Sequence, residues 1–202
     1  SLGSWQTNSY VITKDGENTC WIIDAGFEPD VMIKYIKDKA LIPERLIYTH
    51  AHLDHIAGVN DIIKEFPDIK TAISPEEKSF LSDPVKNMSS MMGFEIKAPE
   101  ADQFLSDGDI LNFCGSDFVV FSTPGHSPGG ICLYQKEENI LFSGDTLFQG
   151  SVGRYDFPTS NGQDLFDSIK NKLMILPDST NVYPGHGGKT TIGFERTNNM
   201  FL

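Results

Sequence analysis

The stretch from Thr49 to His55 is rich in residue types that bind metal ions. It contains three of the five histidines of the chain and one aspartate: His50, His52, Asp54 and His55. Residues two apart in an extended turn point the same way, so His50 and His52 can chelate one ion. Asp54 and His55 lie where a helix is predicted to begin and can face a second ion. Neutral imidazoles with a carboxylate suit zinc, iron or manganese.

The flanking segments place this cluster on a turn. The run 45–49 is β-branched and aromatic and predicts a strand, whereas the run 56–66 has the apolar spacing of a helix. Aspartate is a favoured N-cap, and Asp54 alone would fit that structural role. Three histidines at this spacing have no such role in a turn, so the cluster is interpreted as a metal site.

The other ligand-type residues also follow predicted strands. His126 lies in the segment 122–130, Asp145 in 142–146 and His186 in 183–188. Each is flanked by glycine, which lets backbones approach closely. Four such turns can converge on one edge of a sheet sandwich, so that seven ligand-type side chains surround a common space.

Each half of the chain predicts strands first and then a helix. Strands are predicted over 9–13, 19–24, 70–73, 110–113, 118–122, 130–134, 140–143 and 181–183, and helices over 28–40 and 163–176. Ser74, Pro75 and Glu77 predict a helix start with a capping box. The stretch 83–100 has no clear period and predicts a long loop, either a lid or a cover for the core. We see no linker and expect one domain over 1–202.

Composition narrows the classes of partner. A net charge of −12 argues against nucleic-acid binding, which needs a basic face. No apolar run approaches the roughly 20 residues that span a membrane, and no secretory signal pattern opens the chain. The three cysteines, Cys20, Cys114 and Cys132, are widely spaced and odd in number. We therefore expect a cytoplasmic protein; the oligomeric state is not predicted.

These motifs resemble the metallo-β-lactamase fold hydrolases, and within them the short, single-domain glyoxalase II (hydroxyacylglutathione hydrolase) type, over nearly the whole chain. The resemblance implies an α+β fold, the four-layer αββα sandwich, with the site at one edge. It implies two divalent metal ions, zinc first and iron or manganese as alternatives. One ion would be held by His50, His52 and His126, the other by Asp54, His55 and His186, with Asp145 bridging the two.

The implied reaction is hydrolysis of a thioester such as S-lactoylglutathione. Two ions roughly 3.5–4 Å apart can share a hydroxide that attacks the carbonyl carbon, and one ion stabilises the developing oxyanion. Asp54 would orient the hydroxide and Asp145 would bridge the ions, which makes them the predicted catalytic residues. Arg154 and Tyr155 are the predicted substrate contacts.

The chain departs from several relatives at single positions. The classical β-lactamases of this fold carry Cys where Asp145 stands and lack a ligand at His55, which argues against antibiotic hydrolysis. The tyrosine that contacts glutathione in two-domain glyoxalase II enzymes falls at Asp156, so glutathione is expected to bind weakly. Arg154 has a structural alternative, an internal ion pair to Asp156 or Asp24.

Two other functions stay open. Persulfide dioxygenases of this fold hold a single iron through the equivalents of His50, His126 and Asp145, and their Gly-Arg-x-Asp-Phe sequence resembles the segment 153–157. The third alternative is a metal-bound scaffold or sensor without turnover, whose sign would be a site with no open coordination position.

Overall fold

The structure, a computed structural model, describes residues 1–202 and contains two compact units, Ser1–Phe104 and Leu105–Leu202. Each unit has its own main sheet and its own buried core. The assignment of one domain over 1–202 stays a prediction.

The first unit is built on a five-stranded sheet. Its strands lie side by side in chain order: β1 (Tyr10–Thr13), β2 (Thr19–Ile23), β3 (Ile42–Ile47), β4 (Lys70–Ile73) and β5 (Gln103–Phe104). β1 and β2 are antiparallel, and every later pair is parallel. Parallel neighbours need crossover connections. The helices in these crossovers are α1 (Asp30–Asp38) between β2 and β3, and α2 (Leu53–Ile56) with α3 (Val59–Glu65) between β3 and β4.

The core of the first unit explains why these segments form these elements. β2 is buried from Cys20 onward, as expected for a strand in the middle of a sheet. Fully buried side chains of α1, β3 and α3, including Ile36, Leu46 and Ile62, pack in one cluster with Ile22. Because β2, β3 and β4 are parallel, their carboxyl ends meet at one edge of the sheet. The turn that carries residues 50–55 follows β3 and therefore lies at that edge.

The second unit contains a six-stranded sheet and a two-stranded one. Its strands are β6 (Ile110–Phe113), β7 (Ser116–Ser122), β8 (Ile131–Gln135), β9 (Ile140–Gly144), β10 (Leu147–Phe148), β11 (Ser151–Val152), β12 (Asn181–Pro184) and β13 (Thr190–Thr191). The large sheet has the order β13-β12-β9-β8-β7-β6 and the small one pairs β10 with β11. The helices are α4 (Gly162–Ser168), which continues as a π-helical turn (Ile169–Leu173), and α5 (Ile192–Asn198).

Strand direction in the large sheet brings three turns to one edge. β7 is antiparallel to β8 and β8 to β9, while β9 is parallel to β12. β7, β9 and β12 therefore run the same way, and their carboxyl ends lie at the same edge. His126, Asp145 and His186 follow these three strands. Leu165, Ile169 and Leu173, from α4 and its π-helical turn, are fully buried and belong to the core of this unit.

Most predicted elements are confirmed within a few residues, and one local prediction is wrong. Ser74 makes no side-chain cap for the following 3₁₀ helix (Pro75–Phe80). Its hydroxyl instead donates to the Glu76 carboxylate, and Glu77 is fully buried. The stretch 83–100 is irregular apart from one 3₁₀ turn (Ser90–Met92), as predicted. The short strands β5, β10, β11 and β13 and the helix α5 were not predicted.

Two of the cysteines behave as buried apolar side chains. Cys20 and Cys132 are fully buried, and burial raises the pKa of each thiol to about 11. Such thiols stay protonated and unreactive at neutral pH. None of the helices combines the length and the apolar composition that a membrane crossing requires.

Candidate metal centre

The first unit holds four ligand-type side chains on the turn between β3 and α2. His52 has extended backbone angles and is the last residue before α2. The His50 ring centroid lies 4.7 Å from that of His52 and 4.1 Å from that of His55. All three histidines are buried, and Asp54 is 6% exposed. The strand-to-helix turn thus gathers the four side chains into one cluster, as the sequence predicted.

Asp24, at the end of β2, fixes the orientation of two of these histidines. Its carboxylate accepts hydrogen bonds from the Thr49 amide at 2.8 Å, the Thr49 hydroxyl at 2.7 Å and the His55 Nδ1 at 2.8 Å. Because the Thr49 hydroxyl gives its only proton to Asp24, the His50 Nδ1, 3.2 Å away, must donate to it. Both imidazoles therefore carry their proton on Nδ1, which leaves each Nε2 as the metal-binding nitrogen.

Asp54 is held by the N-terminal segment. The Thr7 hydroxyl donates to Asp54 Oδ2 at 2.8 Å, and both residues are buried. The same Oδ2 lies 3.6 Å from His55 Nε2. Gly26 leaves room for the contact between Thr7 and Asp54, because a Cβ at position 26 would lie 3.3 Å from the Asp54 carbonyl oxygen and 3.3 Å from Thr7 Cβ. The N-terminal segment thus orients one carboxylate oxygen of the cluster.

Glu77 fixes the turn itself. Its buried carboxylate accepts a hydrogen bond from the Ala51 amide at 3.1 Å, midway between the two histidines of the His-x-His pair. This contact replaces the predicted capping box. It fixes the backbone between His50 and His52, and so the spacing of their rings.

The second unit gathers its three ligand-type side chains around one oxygen. Asp145 Oδ2 lies 3.6 Å from His126 Nε2 and 3.5 Å from His186 Nε2. The Asp145 and His126 side chains are nearly buried, and that of His186 is 29% exposed. A single carboxylate oxygen therefore faces two imidazoles that come from different turns.

The backbone beside Asp145 orients His126. His126 Nδ1 donates to the Arg154 carbonyl at 2.8 Å, because a carbonyl can only accept, and Nε2 is left for a metal. Gly153 allows this packing: a Cβ there would lie 1.8 Å from the Asp145 carbonyl oxygen. Only glycine fits at that position without moving the backbone that carries the ligand.

The two predicted substrate contacts lie on the surface of the second unit. Arg154 forms a two-pronged ion pair with Asp156, with both nitrogen–oxygen distances 2.9 Å, and its guanidinium lies 4.3 Å from the Phe157 ring centre. The side chains of the pair are 63% and 66% exposed. Hydrogen bonding lowers the pKa of Asp156 and raises that of Arg154. Arg154 is therefore paired with Asp156, one of the two partners that the ion-pair alternative named. Tyr155 contacts Phe166 edge-on.

The donor set fits divalent metal ions. Two ligands about 2.1 Å from a tetrahedral ion lie roughly 3.4 Å apart. The nitrogen–oxygen separations of 3.5 and 3.6 Å around Asp145, and of 3.6 Å between Asp54 and His55, are close to that value. All seven predicted ligand residues belong to groups of His and Asp side chains that could hold such an ion.

The profile of the family described as "Metallo-beta-lactamase superfamily" matches residues 2–186. The chain belongs to the metallo-β-lactamase superfamily. The predicted fold class, α+β with the αββα sandwich of that superfamily, is confirmed by this membership and by the two mixed sheets with their helices.

Proteins that resemble this chain carry different descriptions. Hydroxyacylglutathione hydrolase GloC of Haemophilus influenzae is 36% identical over 205 residues, which span 98% of this chain and 94% of that protein. The crystal structure of BLEG-1 B3 metallo-beta-lactamase has a TM-score of 0.94 and 41% identity, covering 100% of this chain and 96% of its own. That of TTHA1623 in a di-iron-bound form has a TM-score of 0.88 and 36% identity, covering 100% and 98%.

Asp24, Thr7 and Glu77 are the functional residues that sequence reasoning missed. Asp24 had a signal similar to that of the predicted ligands, because it is a carboxylate directly after a strand and two residues before a glycine, Gly26. Thr7 and Glu77 had no signal, since each meets the cluster across a sequence separation of 26 residues or more.

We expect Asp24→Asn to weaken zinc binding by about 10–100-fold, the usual effect of losing such an outer contact. Asparagine tolerates the positive φ of +57° at this position. Its NH2 group, however, would face either the Thr49 amide or both the Thr49 hydroxyl and the His55 Nδ1–H, and all of these are donors. Zinc affinity is measured by competition with a chromophoric chelator.

The control is Asp102→Asn. Asp102 accepts from the Thr71 amide and hydroxyl at 2.9 and 3.1 Å, the same pattern without an imidazole, and the amide bond lowers its pKa. This variant should bind zinc like the wild type. Equal zinc affinity of Asp24→Asn and wild type would refute the orienting role.

Proposed function

We propose that this chain is a dinuclear metallohydrolase that cleaves thioesters, with a glutathione thioester such as S-lactoylglutathione as the leading candidate. The proposed ligands are the seven residues predicted from the sequence, with Asp145 shared between two ions. The observation that carries the proposal is the single Asp145 oxygen 3.5 and 3.6 Å from the Nε2 atoms of two histidines. The relative described as a hydroxyacylglutathione hydrolase supports the choice of substrate.

In this reaction the metal ions and the side chains of the site have separate roles. When bound, a pair of divalent ions lowers the pKa of a coordinated water to about 7 and polarises the thioester carbonyl. Asp54, whose Oδ2 accepts a hydrogen bond from the Thr7 hydroxyl at 2.8 Å, would orient the attacking water toward the carbonyl carbon. His50 and His55 keep their Nδ1 protons because Asp24 and Thr49 hold them, so they stay neutral ligands.

A thioester needs no dedicated acid for its leaving group. A thiol has a pKa near 8.5, so it leaves as a thiolate at little cost near neutral pH. The leaving group therefore needs no proton from the protein. An amide nitrogen, by contrast, must be protonated before it leaves.

β-Lactam hydrolysis is the second candidate, because of the similarity to the B3 metallo-beta-lactamase structure. The Asp145 carboxylate at the bridging position and the His55 ligand count against it, as the sequence comparison indicated. A persulfide dioxygenase with one iron and a metal-bound scaffold are the remaining alternatives, and each predicts a different metal content or turnover.

We expect metal-loaded protein to hydrolyse S-lactoylglutathione and other acyl thioesters but not nitrocefin, and to consume no oxygen with glutathione persulfide. The four substrates are assayed side by side on one preparation of measured metal content. Oxygen uptake without thioester cleavage would assign the chain to the dioxygenases, and nitrocefin turnover alone would make it a β-lactamase. No turnover of any substrate would favour the scaffold.

We expect about two metal ions per chain, zinc first and iron or manganese as alternatives, and a larger loss from Asp145→Ala than from His186→Ala. The proposed bridging carboxylate serves both ions, whereas His186 serves one. Metal content by elemental analysis and hydrolysis rate are measured for both variants. Two retained metals and a near-normal rate in Asp145→Ala would contradict the bridging role.

We expect Arg154→Ala to raise KM for glutathione thioesters and Asp156→Ala to lower it, because the second change releases the guanidinium from its carboxylate partner. The carboxylates of the thiol carrier would then meet a free cation. If both variants lower thermal stability and leave KM unchanged, Arg154 serves only to hold its loop.

A further inference from the structure

Three aromatic side chains of the first unit form a cluster at its surface. The ring centroids of Trp5 and Phe27 lie 6.5 Å apart in a stacked arrangement, and those of Phe27 and Phe94 lie 5.5 Å apart. Trp5 and Phe27 are half-buried, and Phe94 is 43% exposed. A contiguous group of exposed apolar side chains is one mark of a binding surface. We call this set the aromatic cluster.

The fold holds Trp5 in place through a tight turn. Two backbone hydrogen bonds, of 2.9 and 3.2 Å, join Leu2 and Thr7, and Trp5 lies within the turn that they close. Gly3 has a φ of +58°, and a Cβ there would lie 2.5 Å from Phe27 Cβ. The turn therefore packs directly on Phe27, and only glycine permits that contact.

The same turn contacts a proposed metal ligand. Thr7, which closes the turn, donates to Asp54 Oδ2 at 2.8 Å. Gly26, the neighbour of Phe27, approaches the Asp54 carbonyl so closely that a Cβ would lie 3.3 Å from it. The segments that carry Trp5 and Phe27 are thus both in contact with Asp54. The aromatic cluster is therefore joined to Asp54 through Thr7 and Gly26.

We propose that the aromatic cluster binds an apolar acyl group of the thioester, so that the enzyme favours acyl chains longer than lactoyl or acetyl. This inference rests on the proposed thioesterase function. The occupant is the acyl group because the cluster consists of rings, which gain from burying methylenes. The polar, charged thiol carrier needs cations instead, and Arg154 on the second unit is already paired with Asp156.

The segment around Phe94 is suited to acyl groups of different shape. Phe94 lies in the irregular stretch 83–100, two residues after the 3₁₀ turn that ends at Met92. Met91 and Met92 in that turn are 62% and 44% exposed. Methionine is flexible and polarizable and adapts to irregular apolar partners. Phe94 would bring this stretch into contact with the substrate, in line with the lid alternative for the loop.

The test combines binding with kinetics on metal-loaded protein. Non-hydrolysable S-methyl-, S-butyl- and S-hexylglutathione are titrated by calorimetry, and acetyl-, butyryl- and hexanoylglutathione are assayed for KM. Each methylene buried on the cluster should lower Kd and KM by about fourfold. Trp5→Ala and Phe94→Ala should remove at least tenfold of the gain for the six-carbon chains and leave the shortest ligands unchanged.

Tyr35→Ala is the matched control, because Tyr35 is an exposed aromatic residue of α1 outside the cluster. It should keep the wild-type dependence on chain length. Since Trp5 also packs within its turn, Phe94→Ala provides the second variant if Trp5→Ala unfolds.

The outcomes separate this inference from the proposed function. Tighter binding of longer thioethers that is lost in Phe94→Ala, but without cleavage of any thioester, supports the acyl surface and refutes the thioesterase. Thioester cleavage with KM and Kd independent of chain length, and unchanged in the variants, refutes the acyl surface and keeps the thioesterase. Thioethers that fail to bind at any length refute the acyl surface as well.

Discussion

The Asp24 carboxylate is the contact on which the ligand cluster of the first unit depends. It ends β2 in a left-handed backbone conformation, with φ +57°, and this turns its side chain toward the neighbouring strand. From there it bonds the Thr49 amide and hydroxyl and the His55 imidazole. Through Thr49 it also sets the proton of His50. One buried carboxylate thus fixes the turn after β3 and the tautomers of two histidines, and a metal site needs both.

The second unit meets the same requirement with backbone rather than with a side chain. The carbonyl of Arg154 holds the His126 Nδ1, and Gly153 lets that backbone lie against Asp145. A backbone acceptor cannot be removed by substitution, but its position depends on the glycine beside it. Orientation in one unit therefore depends on a carboxylate, and in the other on a residue without a side chain.

The turns that carry the ligand-type residues could be predicted from the sequence because their signal is local. His50, His52 and His55 lie within one turn, and His126 and His186 directly follow strands whose patterns are clear. The residues that orient them escaped prediction because they are distant in sequence; Thr7 and Asp54, for example, are 47 positions apart. The capping box at Ser74 failed for a related reason: Glu77 is taken by a long-range bond to the metal turn, and tertiary contact overrode the local preference.

The burial of so many polar groups in one place links folding to metal binding. Carboxylates and imidazoles lose their hydration when buried, and this costs free energy unless partners replace the water. A ligand that binds only the folded protein adds about 4 kcal/mol of stability at a concentration a thousand times its Kd. Asp54, 6% exposed, and Asp145, whose side chain is 9% exposed, are two carboxylates that a bound cation would stabilise. A chain of net charge −12 can therefore bury acidic side chains at its candidate metal centre, because the cations that those side chains bind also offset the free-energy cost of burying them.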